Sequence, residues 1–148
     1  MDKLIACLKQ KDVRYDIIEH EAPILSAQDG ERILGIELGQ TAPILILKAE
    51  AGFYSLIFSG DRDRLDFAEL ASKLNLPGLK LAKPKEVEKL TGFSVGSVPM
   101  AGLSFPCILD RRLFRYPYIY GGSGSPTHTL KLEPSALERL HQVIAYLD

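Results

Sequence analysis

The apolar positions of this chain follow two rhythms, one of strands and one of helices. Ile44, Leu45, Ile46 and Leu47 form an unbroken apolar run that Lys48 closes. Such a run suits a strand covered on both faces. A turn over residues 49–52 and a second apolar stretch over 53–58 make it one arm of a hairpin. Upstream, Leu4, Ile5 and Leu8 share one helical face, which predicts a short amphipathic helix over Asp2–Gln10. Tyr15–Glu19 reads as a strand. Ser26 caps a helix running to Leu34, with Asp29 as capping-box partner and Gly35 as the stop. Gly39 leads into the central strand.

Downstream of the hairpin, residues 59–64 form a polar loop. Asp66 caps a helix with Glu69 three residues on, and Phe67, Leu70 and Leu74 supply its apolar face. Pro77 and Gly78 break it, and residues 79–81 make a short strand. Pro84 opens the next helix, whose buried side is Val87 and Leu90 and whose end is Gly92. Residues 93–105 read as loop, 106–110 as a strand, and Arg111 and Arg112 as part of a turn. Residues 116–120 predict another strand, placed at an edge because Pro117 has no N–H to give a ladder. Residues 121–126 predict a long flexible loop. His128–Leu132 alternates as a strand does. Pro134 starts an expected final helix with Leu137, Leu140, Ile144 and Leu147 on one face.

Strands and helices interleave irregularly and several strands are joined by tight turns. That pattern predicts an α+β fold with a mixed, largely antiparallel sheet and surrounding helices, not a doubly wound parallel sheet. No repeat or linker divides residues 1–148, so a single domain is expected.

Composition narrows the function. The chain has 148 residues, 46% of them hydrophobic and 25% charged, with a formal net charge of −1 and a pI near 6.3. Nucleic acid would have to meet a local basic patch, because the global field does not attract it. Cys7 and Cys107 make neither a metal spacing nor a disulfide framework, and read as reduced core residues. The first ten residues lack a signal-peptide apolar region, and no run approaches a membrane span. A soluble, cytoplasmic protein is expected, with no membrane partner.

The usual catalytic signatures are absent: no nucleophile elbow, no Walker loop, no HExxH and no paired cysteines. His20, His128 and His141 show no metal spacing. The glycines at 121–124 lie between two strands, which fails the context of a dinucleotide fingerprint. An enzyme built this way would position its substrate with backbone amides, and neither a metal nor a cofactor is expected. Two segments offer such amides: residues 91–102, with Gly96 and Gly102, and residues 121–128. Both also fit ordinary turns. Lys48 either snorkels to water or projects into a cleft. Lys48, Arg62, Arg64, Lys80, Lys83, Lys85, Arg111 and Arg112 could meet phosphate, yet interleaved acids make a mixed solvated surface the default.

In order, these features resemble the YbaK/prolyl-tRNA synthetase-associated domain family of trans-editing aminoacyl-tRNA deacylases. The matching pieces run from Ile44 through Lys48, then Ser59, Gly60, Asp61 and Arg62 with Leu65, Asp66 and Leu70. They continue with Glu86, Val87, Leu90, Thr91 and Gly92, then residues 95–99 with Gly102. Ile108, Leu109, Asp110, Leu113, Gly121, Gly122 and residues 129–132 complete the set. The resemblance covers residues 24–140.

It implies a mixed, barrel-like sheet and hydrolysis of the ester joining a mischarged amino acid to the 3′ end of tRNA. It assigns catalysis to Lys48, Gly96 and Gly102. It assigns substrate binding to Ile46, Ser97, Val98, Pro99, Met100, Ala101, Gly121, Gly122 and, weakly, His128. The family often has glycine, three residues, then proline; here Met100 takes the proline's place and Pro99 comes one residue early. The expected partners are a mischarged tRNA and, given the near-neutral charge, a synthetase or elongation factor that presents it. A non-catalytic tRNA-binding domain and a hydrolase of small acyl esters use the same features.

Overall fold

A computed structural model describes residues 1–148. Five helices and nine strands follow in the order α1 (Asp2–Gln10), β1 (Tyr15–Glu19), α2 (Ala27–Leu34), β2 (Thr41–Ala42), β3 (Ile44–Ala49), β4 (Gly52–Ile57), α3 (Phe67–Leu74), β5 (Lys80–Leu81), α4 (Pro84–Thr91), β6 (Cys107–Asp110), β7 (Ile119–Gly122), β8 (His128–Leu132), α5 (Ala136–Leu140) and β9 (Val143–Leu147). The expected caps are in place. Ser26 Oγ accepts from the Asp29 N–H at 3.1 Å, and Asp66 Oδ1 from the Glu69 N–H at 3.1 Å. Gly35 and Gly92 close α2 and α4 in the left-handed conformation.

The strands form two sheets. One has the order β1-β8-β7-β2 and the other β5-β3-β4-β6-β9. Four pairings are antiparallel and three parallel (β2 with β7, β4 with β6, β6 with β9), so the fold is α+β with a mixed, largely antiparallel strand arrangement. The sheets do not close into a barrel. Pro43 separates β2 from β3, and there the chain leaves the first sheet and enters the second. Proline has no N–H to continue a ladder, so the switch comes where the sequence interrupts pairing.

Three apolar clusters hold the layers. The largest joins α1 and α5 to the inner face of the four-stranded sheet through Leu8, Leu130, Leu132 and Leu137. A second packs α3 on the five-stranded sheet through Leu47, Leu56 and Leu70. A small third gathers Ile46, Ala82, Val87 and Val98 under α4.

Besides the barrel-like closure, three more sequence expectations change. β7 lies inside its sheet, between β8 and β2, because Pro117 precedes the strand and leaves its ladder intact. Gly121 and Gly122 belong to that strand and not to the loop, because they pair with Leu130 and Thr129 of β8; Met100 and Val98 press too closely there for a Cβ. The final helix stops at Leu140; β9 follows it and pairs in parallel with β6.

Candidate active site

A cavity of about 240 Å³ opens beside Pro43, where the two sheets part. Its walls come from distant parts of the chain. Residues 41–45 form the seam itself. Tyr120, Gly121 and Gly122 of β7 and Thr129 of β8 form the sheet side. Leu25, Ser26 and Gly30 cover it from the α2 side, and residues 95–98 close it opposite. No lysine, arginine, aspartate or glutamate lines it; His128 and the Tyr120 phenol are its titratable groups. The chamber is therefore apolar and hydroxyl-rich, and smaller than the roughly 300–1,000 Å³ of drug-sized ligand pockets.

Of the residues singled out from sequence, Gly96, Ser97, Val98, Gly121, Gly122 and His128 meet at this cavity. Gly96 has φ +91°, a turn conformation that favours glycine, and a Cβ there would meet the Leu25 carbonyl oxygen at 3.4 Å, an ordinary contact. The Gly96 and Val98 amides make no bond within the chain and are available as donors. Gly122 lets the loop lie directly on the strand: a Cβ there would collide with the Val98 carbonyl. The Met100 N–H donates to the Gly122 oxygen at 2.9 Å and fixes that contact.

The other six stand elsewhere. Lys48 shares a strand face with Ile44 at the seam but lies four residues on, about 13 Å away along the strand. Its Nζ donates to Glu86 Oε2 at 2.9 Å and sits 5.8 Å from the centre of the Phe53 ring. Glu86 Oε1 also accepts from the Lys83 N–H at the start of α4, so this carboxylate straps β3 to that helix. The bond from Lys48, and then that from Lys83, hold the Glu86 carboxyl below its ordinary pKa. Ile46 is packed between seam and lysine in the small α4 cluster. Met100 and Ala101 are buried in the main core, and Pro99 is absent from the lining. Gly102 makes an exposed turn with φ +86°.

Sequence reading missed Thr129, Tyr120 and the α2 wall. The strand alternation contained a signal for the first two, since Leu130 and Leu132 face the core and their neighbours face outward. Thr129 Oγ1 lies 2.8 Å from His20 Nε2, and His20 Nδ1 lies 2.7 Å from the Ala22 oxygen. A carbonyl only accepts, so Nδ1 donates to the Ala22 oxygen, and Nε2 is left to pair with the Thr129 hydroxyl. His128 Nδ1 lies 3.1 Å from Ser125 Oγ and 3.2 Å from Thr127 Oγ1, while its Nε2 lies 3.3 Å from Glu19 Oε2. These bonds orient the side chains of Ser125, His128 and Thr129, which line the cavity. No group of three or more His, Cys, Asp or Glu gathers with metal-binding geometry.

The aminoacyl-tRNA editing domain model matches residues 21–140. The multifunctional Ser/Thr-tRNA deacylase ProXp-y of Escherichia coli (strain K12) is 32% identical over 101 residues, which cover 66% of this chain and 59% of the relative. The match thus spans about three fifths of that protein's length. A crystal structure of a candidate trans-editing enzyme for prolyl tRNA synthetase superposes with a TM-score of 0.83 at 28% identity, covering 97% of this chain and 92% of that one. A crystal structure of a hypothetical protein superposes with a TM-score of 0.88 at 25% identity and covers 97% of both chains.

Proposed function

This chain belongs to the aminoacyl-tRNA editing domain family, and from that premise we propose that it is a deacylase that hydrolyses mischarged aminoacyl-tRNA in trans. The observation that carries the reading is a cavity of about 240 Å³ without Lys, Arg, Asp or Glu, whose wall includes Gly96 and Val98 with unbonded backbone N–H groups. It suits an aminoacyl group whose side chain is small and uncharged. A carboxylate or ammonium side chain would enter without a counter-charge, which is costly in an apolar site. The name of the E. coli relative, a Ser/Thr-tRNA deacylase, supports the same substrate class.

The proposed reaction needs no group beyond water, substrate and backbone. Water adds to the ester carbonyl, the Gly96 and Val98 amides hold the developing oxyanion, and the bond to the ribose oxygen breaks. The products are a free amino acid and tRNA with its ribose hydroxyl restored. The ribose hydroxyl next to the ester can assist the water. Gly121, Gly122, Ser97 and His128 shape the pocket around the acyl group. Lys48 enters this scheme as a strap outside the chamber, and Gly102 as a turn. Residues 1–148 act as one editing domain, in the cytoplasm, with a synthetase or elongation factor presenting the tRNA.

A panel of mischarged tRNAs, each carrying a labelled amino acid, tests the proposal. Release of an amino acid with a small, uncharged side chain is expected. Binding without release from any member would leave a tRNA-binding domain, and indifference to tRNA would favour small esters. Lys48→Ala, read on the substrate so identified, is expected to keep the saturated rate within about fivefold, because the ammonium lies outside the chamber and a surface ion pair contributes roughly 0–1 kcal/mol. Collapse of that rate in a folded variant would return the lysine to the chemistry.

A further inference from the structure

We propose that Tyr118, Lys131 and Tyr120 form a stacking platform for the single-stranded 3′ end of tRNA, directly beside the cavity; this rests on the editing reading. The outer face of the four-stranded sheet continues from the cavity wall to this group. Tyr120 lines the cavity and is the cross-strand partner of Lys131, as Gly122 is of Thr129. Lys131 therefore lies one strand repeat beyond Thr129 on the same face, about 6.6 Å along β8.

The ammonium chooses aromatic partners. Lys131 Nζ sits 4.3 Å from the centre of the Tyr118 ring and 5.9 Å from that of Tyr120. Asp16 stands opposite Lys131 on β1, yet the two form no ion pair. Several other cations are engaged by carboxylates: Arg62 by Asp110, Arg112 and Arg115 by the Asp61 they share, Lys48 by Glu86. Lys131 thus keeps its charge for an incoming anion, and Tyr118 stays 42% exposed beside it.

Size supplies the second argument. A chamber of about 240 Å³ that takes the aminoacyl group leaves no room for the adenosine and the nucleotides behind it. They must rest on the surface next to the opening. An aromatic face with an adjacent cation is the chemistry that holds unpaired nucleotides, through base stacking and phosphate contact. In this arrangement Tyr118 stacks a base, Lys131 meets a phosphate, and Tyr120 marks the boundary between nucleotide and acyl group.

The test uses a short single-stranded RNA ending in CCA, labelled at its 5′ end, and the intact chain. Tyr118→Ala, Tyr118→Leu and Lys131→Ala are each expected to weaken binding roughly tenfold. The leucine variant keeps apolar cover, so a loss shared with it reports stacking and not unfolding. Lys131→Ala should also reduce the magnitude of the slope of log affinity against log salt by about 0.7. Lys73→Ala, which removes only an exposed pair with Glu69, should bind as the parent does. Parent-like binding by both the Tyr118→Leu and Lys131→Ala proteins, or no binding of the RNA by the parent, overturns the platform. Loss of RNA binding in these variants, with no turnover of any mischarged tRNA by the parent, keeps the platform and removes the editing reading. Turnover by the parent with unaffected variants does the reverse.

Discussion

Arg62 and His141 carry the sharpest expectations for single side chains. Asp110 is fully buried, and its carboxylate receives Arg62 Nε at 2.6 Å, Arg62 Nη2 at 2.9 Å and the Ser59 N–H at 2.9 Å. Arg62→Ala would leave that charge without its counter-ion, and a loss of about 3–5 kcal/mol is expected in urea unfolding. A loss below 1 kcal/mol would mean that water replaces the guanidinium. His141 is buried and Nε2 donates to the Met100 oxygen, which holds the loop behind the cavity. Burial, opposed by that bond, depresses the His141 pKa below 6.5. The unfolded chain then binds a proton that the folded chain refuses, so stability is full above about pH 7 and falls as the pH drops through 6.5. His141→Gln should flatten this acid-side decline in urea midpoints between pH 7.5 and 5.5; an unchanged slope would assign the decline to other groups.

Among the elements, the last two separate what a sequence can say from what it cannot. Leu137, Leu140, Ile144 and Leu147 repeat at helical spacing, but β9 takes the last two because the edge of β6 offers a parallel ladder. That edge is made by residues more than thirty positions earlier, and no local period reports it. Leu137→Ala is expected to cost about 2–5 kcal/mol, since Leu137 has no solvent exposure. Ile144 is 44% exposed on its strand, so Ile144→Thr should stay within about 0.5 kcal/mol. Equal costs in thermal or urea unfolding would restore a continuous helix. Helices α1 to α4 and the hairpin were legible because caps, breakers and periods agree locally. The site was legible in part. Its glycines and the 95–98 loop declare themselves through backbone needs. The positions of Lys48, Ile46 and Met100 depend on which sheet face meets which cluster, and that is decided by packing across the chain. Thr129 and Tyr120 escaped notice because an outward residue on a strand resembles any solvated one.

At the scale of the molecule, charge is arranged to cancel. Eighteen Lys and Arg face nineteen Asp and Glu, and the strongest pairs sit around Asp61 and Asp110. Long-range attraction of a polyanion is therefore weak, so the proposed recognition of tRNA rests on a small local contact. The molecule is also stitched end to end: Tyr15 pairs with Leu132 and Glu19 with His128. Closing so long a loop is slow compared with local helix and hairpin formation. After dilution from urea, circular dichroism should therefore recover in part before any deacylation returns. Hydrolysis that reappears ahead of the β1–β8 amide protection measured by hydrogen exchange would contradict this order. On the proposed function, a nascent or partly melted chain would then leave aminoacyl-tRNA untouched, because the β8 wall of the cavity settles last.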